Sequence, residues 1–527
     1  MNDHEVRRKA CQNQFYLDIK VQDLNRQDRI LIALAVCTGS FFYLYLMSDG
    51  FSAWLLPTDD LALAYNYYFH ALLNGDLNVP LRIIGREGHY SPDGRAFIYY
   101  GIFPALLRVF AYPFLDLTRD SFAPTSVFLA ALSISMLTQQ IAVTASRSAL
   151  PPVGIRRSIA LAGLLLSCWL CSPGLFLAAN AAVYHEPIAW ALAACLGSIA
   201  LFQRNQTVDA QVLLPFSVLV FVAIHSRPHF GLGLCFVFAV LALFIVAKTF
   251  RPAWRLPMQP LQSRADWACL TFASVIAVSA GILYLWLNAA RFGSVGSFHA
   301  EATTQIMYGY VFLGPDTPET ARHVGIAEFG RFHQLRIIPT AIFFAVGGCS
   351  FQDRLIDMLG LIHVKKAVPA PYFLLTFGPW VALASGLALR KIKTGLPVLA
   401  PQSVAMGLFF LAAAFAGFMV LAFSTITFRY SLEIWLPLFV LAIFLLQRSS
   451  KHTRFTPGKW FYCFAALAVC GISVFNVDRA LAYRTGFAGP PFMPRENCLK
   501  ILKEEAVVKQ LDPALCALPN FEIEDLR

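Results

Sequence analysis

About eleven times along the chain a run of roughly 20 apolar residues passes almost without a charge, and no other feature limits the fold as much, because a helix of that length spans the ~30 Å hydrocarbon core of a bilayer. The runs are 30–47, 122–145, 158–179, 187–203, 210–225, 230–247, 268–288, 371–389, 402–423, 433–447 and 460–476; apart from Glu433 at one edge, none holds Asp, Glu, Lys or Arg. Backbone groups inside a bilayer must find partners within their own segment, so each run is expected to be an α-helix and the whole an all-α polytopic transmembrane bundle. Composition agrees, since 57% hydrophobic and 14% charged residues leave too little polar surface to cover a soluble globule of 527 residues. There is no low-complexity tract and no obvious internal repeat.

The net charge of +11 follows the membrane rather than a nucleic acid, and no nucleic-acid partner is expected. Residues 97–115 decide the parity. They are apolar, yet Pro104, Arg108 and Pro113 suit a helix lying in the interface, so the segment is excluded as a crossing. The loops 146–157, 204–209, 248–266, 390–401 and 448–459 then all fall inside with about 15 Lys and Arg, against about two on the short outer turns. Arg7, Arg8 and Lys9 are followed by polar sequence up to Ile30, so the first run reads as a retained helix with a cytoplasmic N-terminus. The expected organisation is a transmembrane domain over 1–476, with outer loops 48–121 and 289–370, and a small extracytoplasmic tail over 477–527. Within the large loop, 337–348 is too short to span.

With that topology the residues of chemical potential converge on the outer side. They are Asp59, Asp60, Glu87, His89, Asp93 and Arg95; Tyr184, His185 and Glu186; His225, Arg227 and His229; Arg291, His299 and Glu301; and Arg429, Tyr430 and Glu433. Each has a plainer reading alone, since outer charges are solvated and Arg or His at a helix end snorkels. Together, several of them in turns as short as HSRPH, they point to a site. Asp59 and Asp60 precede LALAYNYYFHALLNG, where Leu61, Ala64, Tyr65, Tyr68 and Leu72 make one helical stripe of an interfacial helix. One carboxylate there caps a helix N-terminus, and the other is left to accept a proton or hold a divalent cation. Arg227, Arg291 and Arg429 lie at outer span ends, where a guanidinium meets either a phospholipid headgroup or the phosphate of a bound ligand. A zinc site from His225, His229 or the Tyr184–His185–Glu186 turn is disfavoured, because Pro228 breaks the helix that would align the two histidines. Most of the 12 cysteines fall within spans, where Cys168 and Cys171 read as packing residues. Cys498 and Cys516 lie outside, where a disulfide is permitted.

The segment from Asp60 through LALAYNYYFHALLN to Gly75, Asp76, Val79 and Pro80 resembles the first-loop motif of the aminoarabinose transferase and protein O-mannosyltransferase group of GT-C glycosyltransferases. Tyr99–Tyr100–Gly101–Ile102–Phe103–Pro104 looks like the second juxtamembrane helix of that fold, and the segments at Asn288–Ser294 and Phe428–Tyr430 are similar to those of related bacterial membrane proteins. Those families carry Asp-Glu where this chain has Asp60 followed by Leu61, with Asp59 before it. The resemblance implies a glycosyltransferase of a bacterial cytoplasmic membrane. Its donor would be a polyprenyl-phosphate sugar, its acceptor a lipid, glycan or protein presented outside, and transfer would invert the anomeric carbon. Asp60 and Asp59 are then the catalytic candidates, and Arg227, Arg291 and Arg429 the donor-phosphate ligands. Glu87, His89, Tyr184, His185, Glu186, His225, His229 and Tyr430 are candidates for binding substrate. Rival classes are a lipid or glycan transporter, or a non-catalytic isoprenoid-lipid-binding protein. Transporters commonly show broken helices and mid-membrane charges, and no broken helix is expected here.

Overall fold

The computed structural model describes residues 24–48, 50–51, 61–84, 89–90, 95–98, 101–147, 149–205, 208–253, 258–296, 306–307, 330, 332–347, 363–364, 372–394, 401–423, 425–449 and 459–485. Its helices include α1 (Arg26–Met47), α2 (Ala64–Leu73), α3 (Phe103–Leu106), α4 (Ala123–Ser146), α5 (Ile155–Leu170), α6 (Pro173–Ala178), α7 (His185–Arg204) and α8 (Ala210–Ile224). There follow α9 (Pro228–Phe250), α10 (Arg264–Phe292), α11 (Ile337–Val346), α12 (Phe373–Thr376), α13 (Gly378–Thr394), α14 (Pro401–Ala422), α15 (Phe428–Ser449) and α16 (Lys459–Thr485). The fold is all-α and polytopic, and its strands are only two residues each. Among the described residues eight helices are long and apolar enough to cross a membrane. Each of the eleven apolar runs coincides with helix, but 210–225 gives the 15-residue α8, and two others are interrupted.

The interruptions correct the expectation of unbroken helices. The run 158–179 divides into α5 and α6 at Cys171 and Ser172, and 371–389 divides into α12 and α13 at Phe377. Proline explains both: Pro173 sits in the first turn of α6 and Pro379 in the first turn of α13, where each lacks the N–H that would continue the preceding helix. The freed carbonyls are met from other helices. Tyr43 Oη donates to Trp169 O at 2.6 Å, Asn476 Nδ2 to Leu170 O at 2.8 Å, and Trp380 Nε1 to Cys171 O at 2.8 Å. Asn476 Nδ2 also donates to Thr376 O at 2.8 Å, so one side chain of α16 closes both breaks.

Capping fixes other helix ends. Asn25 and Asp28 form a capping box at the start of α1, Ser263 and Asp266 do so for α10, and Asp209 caps α8 through Val212 N. α10 ends at Gly293, whose φ of +74° is left-handed. Among the described residues neither 97–115 nor 337–348 has a helix long enough to span: the first has α3 and a short 3-10 turn, Leu107–Phe110, and the second the 10-residue α11. α4 packs on α7, α8 on α10, α9 on α14, and α5 on α16. Over one end lies a smaller apolar core, in which Tyr65, Tyr68, Ile98 and Ala105 pack with Tyr184 and Leu287.

Candidate functional site

Contacts between distant segments sort the loops into two ends. Arg157 Nη2 reaches Asp28 at 2.8 Å, and Gln259 N donates to Val208 O at 3.0 Å, joining loops that the charge count places together. At the other end, His89 pairs antiparallel with Phe97 and Met307, and His363 pairs with Thr425, joining segments that the same count places on the opposite side. The sequence-nominated residues that the structure describes belong to this second end.

The interfacial helix α2 buries Tyr65, Asn66, Tyr68 and Phe69, so most of the expected stripe faces inward. Its polar member organises the layer. Asn66 donates to Leu117 O at 3.0 Å and to Asp120 O at 2.8 Å, and accepts from Arg108 Nε at 3.0 Å. Arg108, wholly buried, donates both terminal nitrogens to the Glu186 carboxylate, with Nη2–Oε2 at 3.0 Å, while the Tyr65 and Phe122 rings flank its guanidinium. A planar fork on a carboxylate is the geometry arginine makes best. It fastens the 101–120 segment to the first turn of α7. A second fastening is Phe103 N to His225 O at 2.8 Å; a Cβ on Gly101 would stand 2.0 Å from that same oxygen, so the approach requires glycine. His225 itself is enclosed against Phe221 and Tyr284.

Arg291, at the end of α10, donates to Ile98 O at 2.7 Å, Leu287 O at 3.1 Å and Asn288 Oδ1 at 3.1 Å. It is the most enclosed of the three nominated arginines. Burial pushes the nearby Tyr68 phenol above its usual range, and the Arg291 charge opposes that shift.

Glu433 is the centre of a second cluster. Fully buried in the second turn of α15, it accepts from His229 Nε2 at 2.7 Å and faces Arg227 Nη2 at 3.3 Å. The side chains of Arg227 and His229 remain 12% and 21% exposed. The Arg429 guanidinium lies 3.8 Å from the Tyr184 ring centroid and 5.4 Å from that of Tyr430. His185, beside Glu186 in sequence, turns the other way and hydrogen-bonds the Tyr483 hydroxyl. The start of α7 therefore meets three neighbours, Glu186 reaching Arg108, Tyr184 the Arg429 guanidinium and His185 the Tyr483 hydroxyl of α16.

Of the remaining nominated residues, Asp59, Asp60, Glu87, Asp93, His299 and Glu301 lie outside the described residues, as do Cys498 and Cys516. His89 is described only as strand backbone, and Arg95 lies over the Phe97 ring. Arg108, Asn66 and Tyr483 were not nominated. Arg108 had a legible signal, as a lone charge in an apolar segment that needs a partner; Tyr483 had none, lying beyond the last apolar run. Among the described residues no group of three or more His, Cys, Asp or Glu could hold a metal ion.

No family model matches the chain. No curated protein matches it either. Among solved structures it is similar to the Archaeoglobus fulgidus oligosaccharyltransferase in its apo form, with 13% identity and a TM-score of 0.45 over 93% of this chain and 60% of that chain. The same enzyme in complex with Zn and sulfate gives 14% identity and a TM-score of 0.44 over 93% and 57%. The chain thus spans about 60% of the length of the oligosaccharyltransferase it resembles.

Proposed function

We propose that this protein is an integral membrane glycosyltransferase that moves a sugar from a polyprenyl-phosphate donor to an acceptor at the end of the bundle holding the Glu433 cluster. The observation that carries the reading is that cluster. A buried carboxylate with two arginines and a histidine, at the ends of apolar helices, is costly to enclose and marks function by default. Arg227 and Arg429, at the ends of apolar helices, are the proposed ligands of the donor phosphate, to which a guanidinium offers a bidentate partner. Arg291, bonded to Ile98 and Asn288, is the third proposed ligand of the donor phosphate. Tyr184, Tyr430 and His229, with Glu87 and His89 from the first loop, would line the sugar and acceptor, and the buried His185, Glu186 and His225 would support that lining from behind.

The reaction is a single displacement. The acceptor oxygen or nitrogen attacks the anomeric carbon from the face opposite the phosphate, the bond to the phosphate oxygen breaks, and Asp60 takes the acceptor proton. Inversion follows from that one step. The arginines stabilise the negative charge that grows on the departing polyprenyl phosphate. Asp59 orients Asp60 or shares a divalent cation with it.

The two broken helices favour a second reading, lipid translocation. The three consecutive carbonyls at the first break already accept from Tyr43, Asn476 and Trp380, which leaves that break poorly suited to holding a cargo cation, so transfer is placed first.

The test is transfer from a polyprenyl-phosphate sugar by purified variants in liposomes. Asp60→Asn should lower the rate ~10²-fold or more, the usual effect of removing a general base, and Asp59→Asn should lower it less. Near-normal turnover by Asp60→Asn would remove the mechanism, and equal severe loss in both variants would point to a shared cation or a coupled acid pair.

A further inference from the structure

The segment that carries Arg108 is inverted with respect to water. Arg108 lies wholly inside, bonded to Glu186, while Leu106, Val109, Phe110, Tyr112 and Phe114 point outward, Phe110 being 72% and Phe114 83% exposed. Leu73, at the end of α2, is exposed too. Such a cluster of large apolar side chains on a short, well-anchored segment marks a surface built for an apolar partner.

Its position identifies the partner. The Phe103 ring packs on Trp190 of α7 at 5.5 Å, Phe103 N bonds His225 O, and Arg108 is held by the first turn of α7. The segment therefore lies level with the ends of membrane-spanning helices, where the hydrocarbon layer meets the headgroups. Phe69 and His70 hold the Tyr112 ring at 5.6 and 5.8 Å, so the patch is fixed in place. Just beyond it the chain turns ionic. Exposed Asp116 accepts from Thr118 N and Oγ, bonds that hold its carboxyl below the usual range, and lies beside exposed Arg119. The chain then passes through Phe122 into α4, whose Leu129 is again exposed. An apolar tip, a tyrosine and then an ionic turn form the order in which an interfacial element meets acyl chains, headgroups and water.

We propose that residues 106–114 form a wedge inserted among the acyl chains of the leaflet at this end of the bundle, with phospholipid as its partner. The wedge gives the site a lipid-facing flank independently of any chemistry at Glu433, so its test stands apart from that of sugar transfer. Phe110 and Phe114 are replaced, one at a time, by the photoreactive p-benzoyl-phenylalanine in the full chain. The protein is reconstituted in phosphatidylcholine vesicles, irradiated, and its peptides are weighed. Both positions should yield phospholipid adducts at a level comparable with Phe272, an exposed residue of the spanning helix α10, and about tenfold above Arg119 in the ionic turn. Cross-links at 110 and 114 to a second copy or to another protein, or no lipid adduct while position 272 gives one, would overturn the wedge.

Discussion

At the residue scale the Arg108–Glu186 pair is the sharpest case, because both members are fully buried and each is the other's main counter-charge. Removing one leaves an uncompensated charge in an apolar layer, which costs about 3–5 kcal/mol, whereas replacing both by apolar residues of similar size is close to neutral. Arg108→Met and Glu186→Leu should each lower the thermal midpoint of the detergent-solubilised protein markedly, and the double variant should recover more than half of either loss. Additive losses would show that the two side chains are not coupled. The sequence made each of these residues visible, but not as a pair. Arg108 reads as a reason against spanning, and Glu186 as one of several outer acids; nothing in a separation of 78 residues announces the contact. His185 and Glu186 illustrate the same difficulty, since neighbours in sequence serve partners on opposite sides of one helix turn.

At the element scale the helices were legible and their breaks were not. Long apolar runs determine helix because the bilayer allows no other local solution, which is why all eleven runs are helical. Hydropathy carries no information about continuity, and Pro173 and Pro379 become informative only once a helix is known to pass through them. What makes the breaks tolerable is more distant still, a donor on α16. Interhelical hydrogen bonds in membranes average about 0.6 kcal/mol, and Asn476 makes two, so Asn476→Leu should cost about 1–3 kcal/mol with both carbonyls left to find other partners. A thermal midpoint unchanged by Asn476→Leu would show that the joint is held by packing alone.

At the scale of the whole molecule, the parity drawn from loop charges and the contacts between loop ends agree on which segments share an end. The orientation in a cell is a separate matter, and the positive-inside rule predicts it. In a background without other reactive thiols, cysteines placed at Ser91, Thr317 and Thr485 should react with an impermeant thiol reagent in intact cells, and one at Ser450 should not. Labelling at 450 would reverse the assignment and put the Glu433 cluster on the cytoplasmic side. The clustering itself was legible only as a tendency: charge counts bring Tyr184, Arg227 and Arg429 to one end, but the sharing of Glu433 by Arg227 and His229 depends on how α9 and α15 meet, which no local pattern records.

The Asn476 joint also places a timetable on biosynthesis. Leu170 is made 306 residues before the side chain that donates to its carbonyl, an interval of about 15–60 s at ~5–20 residues per second. Until then the Leu170 carbonyl, just before Pro173, must borrow a partner from water or from the insertion machinery. A nascent chain stalled before its final hydrophobic segment would carry an unsealed joint in the middle of an otherwise inserted bundle, recognisable to membrane quality control as unfinished.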